Sequence, residues 1–246
     1  MKSMIKGAII AGVAMGAMMS TIASAQTIRM GTEGAYPPYN FINDAGEVDG
    51  YERELGDELC KRAKLTCEWV TNEWDSIIPN LVSGNYDTII AGMSITEERD
   101  QVIDFTSEYY PADPSAYVGL AGADASATNG VVAAQTGTIQ AGHVASSGAT
   151  LVEFATPDET IAAVKNGEAD AVLADYAFLA PIVEQSGGEL EFVGAKVAIG
   201  GGIGMGVRES DGDLKAKMNA AIASMKADGT LNTMLNKWFG EGTGTY

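Results

Sequence analysis

Cysteine and histidine are scarce in this chain of 246 residues: two cysteines and one histidine. His143 has no second histidine and no cysteine nearby, so neither a zinc site nor a Ser-His-Asp triad can be assembled around it. Following the Thr136-Gly137-Thr138 turn by one to two helical turns, it reads as a solvent-exposed helix residue. No metal and no cofactor are expected. Positive charge is also short, with 15 Lys and Arg against 33 Asp and Glu and a net charge of −18. Such a surface repels phosphate backbones and anionic lipid heads, which makes nucleic acid the least suitable partner. The same charge reads as a solubilising surface or as a mild attraction for cationic ligands, and charge alone does not separate the two. Finally, no run after residue 25 is both long and apolar enough to span a bilayer of about 30 Å.

What is present begins with a leader. Lys2 and Lys6 precede an apolar run from Gly7 to Met19, and Ala23-Ser24-Ala25 has the small-residue pattern that signal peptidase cuts. The segment 1–25 is therefore expected to be a signal peptide, the alternative being a retained anchor. Gly, Ala and Ser dilute the run, which favours cleavage. Because Gln26 and not cysteine follows the cut, a lipid anchor is not expected. An exported chain meets an oxidising compartment, where the isolated close pair Cys60 and Cys67 reads as a disulfide tying a helix end to the next strand.

The remaining chain is long enough for two small domains with buried cores. Strand and helix signals alternate: strand at Ile28–Thr32, helix at Gly50–Lys64, strand at Cys67–Thr71, helix at Asp75–Val82, strand at Tyr86–Ile90. This order predicts an α/β fold, a mostly parallel sheet flanked by helices. A second series follows, with strands near 116–120, 131–134, 150–154, 171–174 and 190–193. Helices over 213–226 and 231–239 close the chain. Crossings near Pro111 to Pro114 and near Gly200 to Gly204 would make two lobes joined by a two-strand hinge. The expected division is 26–111 plus 206–246 for lobe one and 112–205 for lobe two.

Several ordered motifs carry a resemblance: Gly31-Thr-Glu-Gly-Ala-Tyr-Pro-Pro-Tyr-Asn-Phe, Asp49-Gly-Tyr-Glu, Trp74-Asp-Ser-Ile-Ile-Pro-Asn-Leu, Gly92-Met-Ser-Ile-Thr-Glu-Glu-Arg and Ile103-Asp-Phe-Thr. They resemble the polar amino-acid-binding proteins of bacterial ABC importers, most closely the lysine/arginine/ornithine, histidine and opine binders. The resemblance covers nearly all of the chain after the leader. It implies the two-lobed periplasmic-binding-protein fold of type II, an amino-acid ligand in the cleft and membrane permease subunits as partners. A periplasmic location follows from it, and the chain is expected to act as a monomer.

Read physically against that family, Arg99 follows a strand end, where open α/β sheets place ligands, and its planar fork suits a carboxylate. Its plainer reading is an exposed helix residue. Gly92 and Ser94 lie beside it, and Gly92 lets a ligand approach because it lacks a Cβ. In the second lobe the amides of Thr138 and Ile139 open a helix and are expected to receive the same carboxylate. Asp175 matches the position whose carboxylate holds the α-ammonium; capping the helix from Tyr176 is its alternative role. Tyr36 and Trp74 match the aromatic positions that sandwich the ligand side chain, or else are core. Glu33 matches the acidic position that meets the distal ligand group, with Glu52 as a second candidate. Two carboxylates and two aromatic faces favour a cationic tail, arginine, ornithine, lysine, histidine or an opine, with glutamine as an alternative. The chain departs from the lysine/arginine/ornithine pattern at Ala91 and Ile139. Two other functions use the same scaffold: a dehydratase-like periplasmic enzyme, and a sensory binding protein.

Overall fold

The computed structural model describes residues 27–246. The expected leader lies outside the described residues. The chain runs β1 (Thr27–Thr32), β2 (Ala35–Tyr36), β3 (Asn40–Ile42), β4 (Val48–Asp49), α1 (Tyr51–Ala63), β5 (Thr66–Thr71), α2 (Ile77–Val82), β6 (Thr88–Ile89), α3 (Glu97–Asp100) and β7 (Asp104–Phe105). It continues through β8 (Ser115–Leu120), β9 (Val131–Gln135), α4 (Ile139–Ser147), β10 (Thr150–Phe154), α5 (Pro157–Lys165), β11 (Ala171–Asp175), α6 (Tyr176–Gln185) and β12 (Leu190–Val197). It ends with β13 (Gly206–Val207), α7 (Gly212–Ala227) and α8 (Thr230–Phe239).

Two five-stranded sheets result, in the orders β5-β1-β6-β13-β7 and β10-β9-β11-β8-β12. In each, four strands run one way and one is reversed: β13 pairs antiparallel with β6 and β7, and β8 pairs antiparallel with β11 and β12. The reversed strand is in each case the first one laid down after the chain passes from the other sheet. The passages lie between Phe105 and Ser115 and between Val197 and Gly206. Parallel strands joined by helices bring all their carboxyl ends to one edge of the sheet. The loops after β1, β5 and β6 in one sheet and after β9 and β11 in the other therefore carry the residues of interest.

The first helix shows why the local sequence folds as it does. Its buried side chains Tyr51, Glu52, Leu55, Gly56, Leu59 and Cys60 recur at helical spacing on one face. Acidic Glu52 and Glu54 sit in its first turn and basic Lys61 and Arg62 in its last, each matching the helix dipole. Gly50 precedes it at φ 113°, where a Cβ would stand 2.6 Å from the Tyr39 carbonyl oxygen. The helix ends at Lys64 in the left-handed region, and the disulfide Cys60–Cys67 joins it to β5 with Cα atoms 6.2 Å apart. That bridge is the one the sequence predicts.

The structure differs from the sequence reading in small ways. The helix expected over 75–82 starts as a 3-10 turn, Trp74–Ser76, before α2. Of the strand expected over 86–90, only Thr88–Ile89 is paired on both sides. The small sheet β2-β3-β4 was not expected, since strands of two or three residues carry no periodic signal. His143 lies on α4 as expected but is half-buried.

Candidate ligand site

The two sheets face each other across a cleft, where a small cavity of about 30 Å³ is lined by residues from both sides. From the first sheet come Glu33, Tyr36, Trp74, Ala91, Gly92, Ser94 and Arg99; from the second come Gln135, Thr138, Ile139, Gln140 and Asp175. Nine of the ten expected ligand residues therefore meet here. A larger open groove beside β5 shares Glu33 and Trp74 but not Arg99 or Asp175. Convergent polar groups, not size, single out the cleft.

Arg99 sits on α3, whose first turn is set by Thr96: the Thr96 hydroxyl accepts from the Arg99 amide at 3.2 Å. Its guanidinium donates to the Ser94 carbonyl at 2.9 Å and, at 3.4 Å, to the Gly137 carbonyl of the opposite lobe. Its Cζ lies 5.4 Å from the centre of the Trp74 ring. Burial pushes its pKa down to about 10. Among the described residues no carboxylate comes within 4.0 Å of it. A half-buried guanidinium with no carboxylate in direct contact leaves its planar fork open, and a ligand carboxylate would pair with it.

Asp175 ends β11. Its carboxylate accepts from the Tyr36 hydroxyl at 2.8 Å and from the Gln140 amide at 2.9 Å. Burial pushes its pKa up to about 6, and the nearby charge of Asp113 adds to the rise. The alternative capping role is not taken by its side chain, which makes no cap bond to α6. Tyr36 stacks on Phe178 of the other lobe at 4.3 Å, so it is both a cleft wall and a bridge between lobes.

Glu33 accepts from the Gln135 side-chain amide at 2.6 Å, again across the cleft. Burial, with Asp158 nearby, pushes its pKa up to about 7. Trp74 is buried and lines the cavity beside it. Gly92 holds φ 61°, and a Cβ there would stand 3.5 Å from the Tyr36 ring. At the start of α4 the Thr138 hydroxyl accepts from the Ala141 amide and donates to the Gln135 carbonyl. The Thr138 amide turns back to Gln135 at 3.4 Å. This corrects the expectation of two open amides: Ile139 alone of the pair makes no such bond among the described residues.

Glu52 is the second correction. It does not reach the cavity; it is fully buried, accepting from Asn40, the Gly92 amide and Tyr109. Helical spacing puts position 52 on the inner face of α1, beneath the strand ends rather than among them. Gln135 and Gln140 were missed. Gln135 ends β9 as Asp175 ends β11, so the strand-end argument applied to Arg99 would also have pointed to it.

The model of the bacterial extracellular solute-binding proteins, family 3, matches residues 28–241. The L-arginine-binding protein of Pseudomonas aeruginosa is 30% identical over 236 residues, covering 90% of this chain and 91% of its own. The lysine/arginine/ornithine-binding periplasmic protein of Escherichia coli is 31% identical, with 90% and 92% covered. Among solved structures, a periplasmic His/Glu/Gln/Arg/opine family-binding protein from Silicibacter pomeroyi in complex with lysine is 74% identical. It has a TM-score of 0.86 and covers 89% of this chain and 100% of that one. A match across nearly all the described residues, together with strand-end loops that meet in one cleft, places this chain in family 3 of the bacterial extracellular solute-binding proteins.

Proposed function

We propose that this protein is a periplasmic receptor for a cationic α-amino acid, lysine or arginine foremost, which it delivers to the permease subunits of an ABC importer. The observation that carries the reading is Arg99: a half-buried guanidinium at the cavity wall, without a salt-bridge partner among the described residues, faces Asp175 across the cleft. The two charges match the two ends of an α-amino acid. Arg99 and the Ile139 amide take the carboxylate, and Asp175 takes the ammonium. Glu33, Tyr36 and Trp74 hold the side chain, and Glu33 supplies the charge opposite a cationic tail. The lysine complex of the relative that is 74% identical supports this choice of ligand.

Residues 26–111 and 206–246 form one lobe and 112–205 the other, and the ligand stabilises their closed arrangement because its two ends bind different lobes. The leader, cut after Ala25, delivers the chain to the periplasm. The protein catalyses nothing in this reading, since every titratable group in the cleft has a binding role, in line with relatives named as binding proteins.

The test is a thermal-shift and calorimetry panel of lysine, arginine, ornithine, histidine, octopine and glutamine, on protein unfolded and refolded to strip any carried ligand. A ligand at a hundred times its Kd adds about 2.7 kcal/mol of stability. Lysine and arginine should shift the transition most. Absence of any response to α-amino acids overturns the reading.

A further inference from the structure

Glu52 never touches the cavity, yet its carboxylate is bonded to three separate segments that shape it. One oxygen accepts from the Gly92 amide at 2.7 Å and from the Tyr109 hydroxyl. The other accepts from the Asn40 side-chain amide at 2.7 Å, and the Asn40 oxygen accepts in turn from the Gly34 amide at 2.7 Å. Gly92 lines the cavity. Gly34 sits between Glu33 and Tyr36, both cavity residues. Tyr109 lies in the passage between the lobes, where its amide bonds to the Ile203 carbonyl of the returning segment at 2.8 Å. Glu52 and Asn40 are both 0% exposed, so water cannot replace any of these partners.

We infer that Glu52 is a positioning residue for ligand capture, holding the Glu33–Tyr36 loop, the Gly92 turn and the hinge segment at Tyr109 in one register. The inference rests on the reading of the cleft as an amino-acid site. A carboxylate is needed there because it accepts on both oxygens. A carboxamide of the same shape would turn an NH2 group toward the NH2 of Asn40. Asn40 has no escape by flipping, since its oxygen already serves Gly34. The polarity of the whole chain of bonds, from Tyr109 and Gly92 through to Gly34, is thus dictated by one buried charge. Burying that charge carries a desolvation cost, which an apolar side chain would avoid if filling space were the only task.

The test uses Glu52→Gln, Asn40→Asp and the two together, measuring lysine Kd, dissociation rate and Tm on the full mature chain. In the double variant the new carboxamide at position 52 donates to the new carboxylate at position 40, whose second oxygen accepts from Gly34. The donor–acceptor order is restored with the charge moved one residue along. Each single variant should weaken lysine binding by about tenfold or more, mainly through faster dissociation. The double variant should return to within about threefold of wild type. Tyr109→Phe, which removes one bond without creating a clash, should weaken binding by about threefold, and it serves if either single variant does not fold. Single variants that bind like wild type, whatever their Tm, overturn the inference, as does a double variant no better than the singles, or a Tyr109→Phe variant with unchanged affinity. Wild-type protein that takes no α-amino acid would remove the cleft reading and this inference together.

Discussion

Glu33→Gln is the perturbation with the most to say about the cleft. Burial, with Asp158 nearby, raises the Glu33 carboxyl from an ordinary 4.5 to about 7, so the empty folded protein keeps this proton that the unfolded chain releases. Because the folded state binds the extra proton, stability falls as pH rises from 4.5 through 7, by at most about 3 kcal/mol from this group. Glu33→Gln removes that cost, and the empty variant should unfold about 6 °C or more above wild type at pH 8. The same change should cost lysine affinity. Removing the charge opposite a buried cationic group is worth about 2 kcal/mol or more, about thirtyfold in Kd.

The pH dependence separates this account from simple loss of shape. At pH 6 about nine-tenths of the Glu33 carboxyls in the empty protein are protonated, so wild-type lysine Kd should rise about tenfold between pH 8 and pH 6. Asp175, with a pKa of about 6, adds a further factor of about two. In Glu33→Gln only the twofold change should remain. Calorimetry at pH 8, 7 and 6 with lysine and glutamine reads all of this, glutamine affinity changing little in the variant. A variant that binds lysine at pH 8 as wild type does would refute the assignment of Glu33 to the ligand tail. A flat wild-type profile would refute its raised pKa.

Three further outcomes follow from the structure. Arg99→Ala should weaken every α-amino acid by about 2 to 5 kcal/mol regardless of its tail, because the group it pairs with is common to all of them; equal Kd values by calorimetry would disprove the carboxylate assignment. Burial pushes the Asp87 pKa up, but hydrogen bonds from Arg29 and Arg208 outweigh it and hold the pKa at about 2. A depressed carboxylate stabilises above its unfolded value of 3.8 and loses that contribution as pH falls through about 2. Asp87→Asn should therefore cost about 2 to 3 kcal/mol by denaturant unfolding at pH 7, a gap that closes toward pH 2. Cys60→Ser with Cys67→Ser should lower stability by about 2 to 3 kcal/mol, as expected for a bridge spanning seven positions, while lysine Kd stays unchanged.

Much of this protein is determined locally and can be read from the chain. The alternation of strands and helices follows from burial periodicity, so the boundaries of α1, β9 and β10 fall within a residue or two of expectation. Arg99 was visible because it follows a strand end, which an α/β sheet delivers to one edge, Thr138 because it opens a helix, and Gly92 and Asp175 through the motifs around them. The disulfide was visible because only two cysteines exist. What the sequence could not decide was which acidic and amide side chains share the cavity. Glu33 and Glu52 look alike in the chain, nineteen positions apart and each within three residues of a tyrosine. One follows the end of β1 and meets Gln135 of the opposite lobe; the other lies on the inner face of a helix and is sealed by Asn40, Gly92 and Tyr109. That difference depends on how α1 packs beneath the sheet and how two lobes distant in sequence come together. Both are long-range arrangements, to which local propensity and spacing are blind.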